Sequence, residues 1–359
     1  MRLCLNPNCN SQNLDTAKLC QQCGCELLID HAYAVKRLLS DKSGFGTIYE
    51  VEDTNQHPKV LKILKPEFND HPKTVKLFEQ EAFLLGQIDS TGLPKIDAYI
   101  HHYLPDKKML YGIVMEKIEG MNLHDWIYSH KRLSERMAIG WLRQIVRVLQ
   151  IVHQKGYFHR DIKPSNIMLR PSGKLALIDF GTAREATYTY LAKIGGVGGV
   201  TKISSTGYTS PEQERGFAIP QSDFYSLGMT FLHLVTNTYP LDMHDSHTDI
   251  YHWRELAPQI SDNLAQLLER LIAKRPIDRP SDCDAILHSL DELDRQTKEM
   301  QTERQTQVKQ QIKQVQQNRN RIWIGLAIAI MGLTGYAIAI FSRILPSPIP
   351  FSPPIVQPK

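Results

Sequence analysis

Two short runs carry residue types that can do chemistry together. His159-Arg160-Asp161-Ile162-Lys163-Pro164-Ser165-Asn166 sets a carboxylate (Asp161), a cation (Lys163) and an amide (Asn166) within six residues. Asp179-Phe180-Gly181 begins thirteen residues after Asn166. A carboxylate beside a hydroxyl can orient it or take its proton. An ammonium can offset charge that develops on a transferred group. Carboxylate and amide oxygens suit a hard cation such as magnesium. Between the runs, Ile167-Met168-Leu169 and Leu175-Ala176-Leu177-Ile178 are apolar and are broken by Pro171-Ser172-Gly173, the pattern of a hairpin. Such a hairpin would hold both polar runs at one cleft.

The elements upstream supply a further charged pair. Lys59-Val60-Leu61-Lys62-Ile63-Leu64 reads as a short apolar strand with a lysine in its middle. A lysine inside a buried strand is costly unless it is paired. The stretch Leu77–Leu85 reads as a helix, with Leu77, Leu84, Leu85 and Ile88 on one stripe and Glu79 and Glu81 available as partners.

In their order and spacing these residues resemble the catalytic core of eukaryotic-type serine/threonine protein kinases. With four cysteines at the N-terminus, the chain is similar to the bacterial, cyanobacterial-type group that carries such a prefix. The resemblance covers residues 1–290. It implies an α+β, two-lobed protein kinase fold, with a β-rich N-lobe and a helical C-lobe. Phosphoryl transfer in that family depends on positioning and charge neutralisation more than on covalent chemistry.

By resemblance, Lys62 contacts the α- and β-phosphates of ATP and is held by Glu81, with Glu79 the weaker alternative. Asp161 positions the substrate hydroxyl. Lys163 stabilises the transferring phosphoryl group, and a lysine there is similar to serine/threonine rather than tyrosine kinases. Asn166 and Asp179 would hold Mg2+ (or Mn2+). Ile113-Val114-Met115-Glu116-Lys117-Ile118 would be the hinge, bonding adenine through the backbone of Glu116 and Ile118, with Met115 as gatekeeper. Ile48, Val60 and Met168 would sandwich the ring.

The phosphate-covering loop, Ser40-Asp41-Lys42-Ser43-Gly44-Phe45-Gly46, departs from the family. Asp41 and Ser43 stand at the first two glycine positions, and only Gly46 keeps its place. Ser43, Gly44 and Gly46 remain the expected ATP contacts. The departure keeps a pseudokinase scaffold open as an alternative.

Thr206-Gly207-Tyr208-Thr209-Ser210-Pro211-Glu212 resembles the family stretch ending in Ala-Pro-Glu, with serine in place of alanine. The resemblance pairs Glu212 with Arg279 and makes Asp223 the start of a buried helix that anchors the catalytic loop. It makes the residues between Gly181 and Thr206 an activation loop, with Thr201, Ser204 and Ser205 as candidate phosphosites facing Arg160. A long loop ending in Ser210-Pro211-Glu212 argues for protein substrates, against a small-molecule phosphotransferase.

Cys4, Cys9, Cys20 and Cys23 are spaced C-x4-C-x10-C-x2-C, and Cys25 follows. No apolar signal region precedes them, so a reducing cytosol and a metal are expected. Four thiolates suit structural zinc in a ribbon-like module. So short a segment buries little core of its own, and metal would supply its folding energy. Redox sensing through disulfides stays open as the alternative, with Cys25 as a spare thiol.

The order of parts follows: residues 1–28, the cysteine module; 31–290, the kinase domain; 291–321, a polar Gln/Lys/Arg-rich linker; 322–341, twenty uncharged residues; 342–359, a Pro-rich tail. At about 1.5 Å per residue the uncharged run can cross a bilayer as a helix. Arg319 and Arg321 abut its start, with Lys309 and Lys313 nearby, and only Arg343 abuts its end. The positive-inside rule then puts the kinase in the cytoplasm, Trp323 at the inner interface and the short tail outside. Val308, Ile312 and Val315 form one short stripe on a partly helical stalk, which admits a homodimer through a coiled coil. The net charge of +4 is mild and does not point to nucleic acid as a partner.

Overall fold

The protein is described from a computed structural model that covers residues 1–41, 46–180 and 206–344. It divides into two units, Met1–Leu293 and Asp294–Lys359.

The first unit begins with a hairpin, β1 (Arg2–Leu3) with β2 (Gln12–Asn13), which carries the first cysteines. A six-stranded antiparallel sheet follows, in the order β3 (Leu28–Ile29), β4 (Tyr33–Ser40), β5 (Gly46–Glu52), β6 (Pro58–Leu64), β8 (Met109–Glu116) and β7 (Ile96–Tyr103). Both faces of β6 are covered, which is why its sequence is a near-continuous apolar run rather than an alternation. On one face, Leu64, Ile113 and Met115 pack with Phe78 and Ala82 of helix α1 (Pro72–Gly86). On the other, Val51, Leu61, Ile63 and Val114 pack with Cys4, Leu5, Cys20, Cys25 and Leu27. The cysteine segment, expected to lack a core of its own, thus borrows one. It is built onto the N-lobe sheet, and β3 pairs with β4 to make the join continuous.

The C-lobe is helical. Helix α2 (Leu123–Ser129) starts at Asn122, whose side chain accepts from the Asp125 N–H, and α3 (Glu135–Gln154) starts in the same way at Ser134. Leu142, Ile145, Val146, Leu149 and Val152 line the buried face of α3. A small sheet of β11 (Leu175–Leu177), β10 (Ile167–Leu169) and β9 (Met121–Asn122) carries the expected hairpin. The hairpin of β12 (His244–Asp245) and β13 (Ile250–Tyr251) is peripheral. Helices α4 (Pro211–Glu214), α5 (Pro220–Thr236) and α6 (Asp262–Leu271) complete the lobe. Every residue of α5 from Ser222 to Thr236 is buried. Gly228 permits this, because a Cβ there would meet Ile272 Cγ2 at 2.7 Å.

Helix α7 runs from Cys283 to Ile344. Its first turns place Ile286, Leu290 and Leu293 in the C-lobe core. In the second unit the segment expected to be a partly helical stalk is helical without interruption. The reason is local: no glycine or proline occurs between Cys283 and Ile324, and Gln, Lys, Arg and Glu are good helix formers. Among the described residues this is the one helix long and apolar enough to cross a membrane, by length and composition.

Candidate active site

Asp223, fully buried near the start of α5, holds the catalytic loop from below. Its carboxylate accepts the backbone N–H of His159 at 2.8 Å and of Arg160 at 2.7 Å, and bonds His153 Nε2 at 2.8 Å. Burial works against its charge, but these bonds and the nearby imidazoles outweigh it and hold its carboxyl below the ordinary value. They also fix Arg160 at φ +67, a left-handed conformation that an unsupported chain avoids. His159 Nε2 donates to the Ile178 carbonyl at 3.1 Å, and its ring meets Phe180 edge-on with centroids 4.4 Å apart. The two sequence runs are thereby clamped together. Phe180 is fully buried, and Asp179 is turned into the cleft at φ +65.

Within the loop, Lys163 Nζ and Asn166 Nδ2 both donate to Asp161 Oδ2, at 2.8 and 2.9 Å. Asn166 Nδ2 also donates to the Asp161 carbonyl at 2.8 Å. With both amide protons engaged, the chemistry left to Asn166 is that of an oxygen ligand.

Lys62 Nζ lies between two carboxylates. It donates to Glu81 at 2.8 and 3.0 Å and to Asp179 Oδ1 at 2.7 Å. Lys62 and Glu81 are 2 % and 3 % exposed, so neither charge is solvated by water. Burial alone would lower the lysine pKa; Asp179 and Glu81 outweigh it and raise it, so the ammonium stays protonated. Burial raises Glu81, and Lys62 offsets part of that rise. Asp179 is half-buried; desolvation works against its charge, but Lys62 brings its pKa down to about 2, leaving an anion suited to a cation. Glu79, the weaker alternative, is exposed. Two carboxylates around one ammonium, with the Asn166 amide nearby in the same cleft, form a hard-ligand set that fits Mg-ATP.

The expected adenine contacts lie on β5, β6 and β10, where Ile48, Val60 and Met168 are half-buried. Met115 is buried at the end of β8. The Glu116 N–H donates to the Lys95 carbonyl at 2.7 Å, and its carboxylate takes Arg170 Nη1 at 2.7 Å. Ile118 follows, buried. Gly46 begins β5 against β6, where a Cβ would meet Lys62 Cγ at 3.0 Å; the glycine leaves the lysine stem its path. Ser43 and Gly44, and the candidate phosphosites Thr201, Ser204 and Ser205, lie outside the described residues.

Glu212 and Arg279 form a two-point pair at 2.7 and 3.0 Å. Ser222 Oγ donates to Glu212 at 2.6 Å, and Arg279 also donates to the carbonyls of Ala273, Lys274 and Gln221. Burial works against the Glu212 charge, but Arg279 and Ser222 bring its carboxyl down to about 2. Sequence reasoning missed two supports of this region. Gln213 Nε2 donates to the Arg160 carbonyl at 2.6 Å, and His153 on α3 completes the Asp223 shell. Neither carries a motif; His153 shows only as a polar break in the apolar stripe of α3.

The ligand sulfurs of Cys4, Cys9, Cys20 and Cys23 all lie within 4.8 Å of one another. Cys4–Cys23 and Cys9–Cys20 approach at 3.6 and 3.7 Å. A tetrahedral zinc with Zn–S near 2.3 Å sets its sulfurs about 3.8 Å apart, which these two separations match. The same separations exceed a disulfide bond of about 2.05 Å. Burial disfavours the Cys20 thiolate, yet the Ser11 hydroxyl, the Cys23 and Gln22 amides and Asn13 bring its pKa to about 5. Cys25 stands apart, fully buried, with its sulfur 3.6 Å from His102 Nε2 on β7.

Comparison with known proteins agrees with this geometry. The protein kinase domain model matches residues 42–290. Serine/threonine-protein kinase F of Synechocystis sp. is 31% identical over 79% of this chain and 62% of its own length. Serine/threonine-protein kinase PknA of Nostoc sp. is 33% identical over 74% of this chain and 48% of its own. PknA of Mycobacterium tuberculosis is 31% identical over 68% and 57%. The chain thus spans about half to three fifths of the length of these curated relatives. Since the family model covers most of the chain and sets the hairpin, the lysine strand and the α5 anchor in one domain, the chain belongs to the protein kinase family, with relatives among the bacterial serine/threonine kinases.

Proposed function

We propose that this chain is a serine/threonine protein kinase that transfers the γ-phosphate of Mg-ATP to protein hydroxyls and is anchored to a membrane by α7. The observation that carries the catalytic reading is the shared ammonium of Lys62 between Glu81 and Asp179. It keeps α1, β6 and the Asp179 turn in register, which is the arrangement phosphate binding requires. In this reading Lys62 binds phosphate oxygens, and Asn166 and Asp179 would hold the metal. Asp161 orients the acceptor hydroxyl, and Lys163, bonded to Asp161, offsets charge on the group in transfer. The metal, when bound, would neutralise phosphate charge. Glu116 and Ile118 offer the hinge backbone to adenine between Ile48, Val60 and Met168, and Ser43, Gly44 and Gly46 remain the expected phosphate-loop contacts. Autophosphorylation at Thr201, Ser204 or Ser205 belongs to the same proposal, as does zinc at Cys4, Cys9, Cys20 and Cys23.

The positive residues Lys309, Lys313, Arg319 and Arg321 before the apolar run favour a cytoplasmic catalytic domain. Val308, Ile312 and Val315 are exposed on α7 and offer a face to a second copy.

The pseudokinase alternative draws on Asp41 and Ser43. One experiment separates the two: the full chain in detergent, Mg-ATP with a labelled γ-phosphate, and a generic protein substrate, run beside Asp161→Asn and Asp179→Asn. The kinase reading expects label on serine or threonine, lost in both variants while their melting temperatures stay near wild type. A folded wild-type protein that transfers no label would leave the scaffold.

A further inference from the structure

A cavity of about 230 Å³ opens beside the catalytic loop. Its walls include Tyr128, Lys163, Ser165, Tyr208, His233 and Tyr239. Lys163 also bonds Asp161 at 2.8 Å, so the cavity begins one side chain from the carboxylate that would orient the acceptor hydroxyl. We infer that this cavity seats a side chain of the protein substrate close to the phosphorylated residue, and that it selects an aromatic or aliphatic side chain and rejects arginine and lysine. The inference rests on the protein kinase reading and adds the substrate class to it.

The chemistry of the walls decides the selection. Among the described residues no carboxylate lines the cavity. Its fixed charge is the Lys163 ammonium. His124 stands at the rim, and His233 is buried, which pushes its pKa down to about 4 and leaves it neutral. The polar tips of two tyrosines are engaged by the protein: the Tyr208 hydroxyl bonds His233 Nδ1 at 2.5 Å, and the Tyr239 hydroxyl donates to the Thr206 carbonyl at 2.5 Å. What they offer a guest is ring surface. Tyr128 stands 81 % exposed at the mouth, where a guest would cover it. An arginine or lysine entering here would give up water and find the one nearby carboxylate, Asp161, already bonded by Lys163 and Asn166. Attraction to the ring faces is a weak return for that loss. An apolar side chain has no such cost and removes ring surface from water.

The test measures kcat/KM of the full chain on peptides with one acceptor and Leu, Phe, Arg or Glu at each flanking position in turn. The expected result is one flanking position at which Leu or Phe exceeds Arg by about ten-fold or more. His233→Glu keeps an acceptor for the Tyr208 hydroxyl and adds the missing carboxylate. It should turn the preference at that same position toward Arg and leave the KM for ATP unchanged. Tyr128→Ala, at an exposed site that cannot unfold the core, should lower kcat/KM for the Phe peptide several-fold and spare peptides with a small residue there. A wild-type profile that is flat, or that favours Arg or Glu at every position, overturns the inference while the kinase reading stands. An unchanged profile in both variants does the same. Failure to label any peptide or generic protein overturns the kinase reading, and the inference with it.

Discussion

Truncating Leu27 to alanine tests whether the cysteine segment is part of the N-lobe or an appendage. Leu27 is 2 % exposed and lies in the apolar cluster that joins Cys4, Cys20 and Cys25 to Val51, Leu61 and Val114. Its apolar cluster includes no residue of the proposed catalytic set. A buried Leu→Ala change costs about 2–5 kcal/mol, from lost transfer energy plus the cavity left behind. In a unit of this size each kcal/mol moves the melting temperature by about 2–4 °C. Taking about 3 kcal/mol from the middle of the first range, the midpoint should fall by about 6–12 °C. Thermal unfolding gives the size, and hydrogen exchange read by mass spectrometry gives the place. Amides of β5 and β6 should lose protection together with those of residues 1–28, because one core spans them. The Lys62 strand would loosen with them, so the KM for ATP should rise. Faster exchange confined to residues 1–28, with β5, β6 and the melting temperature unchanged, would refute the shared core.

Three further outcomes follow from the same geometry. Asp223→Ala leaves the N–H groups of His159 and Arg160 and the His153 ring without their acceptor. At about 1–3 kcal/mol for each orphaned group the variant should lose several kcal/mol of stability along with activity, whereas Asp161→Asn should lose activity alone; chemical denaturation separates them. For Glu212 the folded carboxyl lies at about 2 against an ordinary 4.5, so its contribution is fully present above about pH 4.5 and is lost as pH falls toward 2. Glu212→Gln should therefore flatten the fall in melting temperature over that interval, and an unchanged slope would contradict the assignment. Elemental analysis of the purified chain should find one zinc per chain, and its removal by a chelator should lower the melting temperature; Cys25→Ser should retain the metal, since Cys25 lies outside the four-sulfur cage.

The residues proposed for catalysis were legible as a group in the sequence because they sit in short runs whose spacing is fixed locally. Asp161, Lys163 and Asn166 lie within one turn and bond one another. Asp179 follows across a hairpin whose apolar strands and Pro171-Ser172-Gly173 turn announce themselves. The need for a partner at Lys62 was also legible, since a buried cation demands one, and so was the burial of Leu84, Leu85 and Ile88, though Phe78 and Ala82, which seat α1 on the sheet, lay outside the stripe read from sequence. The same is true of the uncharged run at the end of α7. Each of these follows from interactions close in the chain or from a cost attached to a single residue.

The rest depends on contacts between distant segments. Nothing in residues 1–28 says that their apolar side chains will lie on the far face of the kinase sheet, because that needs Val51, Leu61 and Val114 to arrive from elsewhere. Gln213 reaches the Arg160 carbonyl and His153 reaches Asp223 only once α4, α3 and α5 have packed. The cavity beside Lys163 exists for the same reason: its walls come from α2, the catalytic loop, α5 and the segments holding Tyr208 and Tyr239, more than a hundred residues apart in sequence, from Tyr128 to Tyr239. Spacing and residue type determined which groups could carry the chemistry; packing alone decided what stands behind them and what they face.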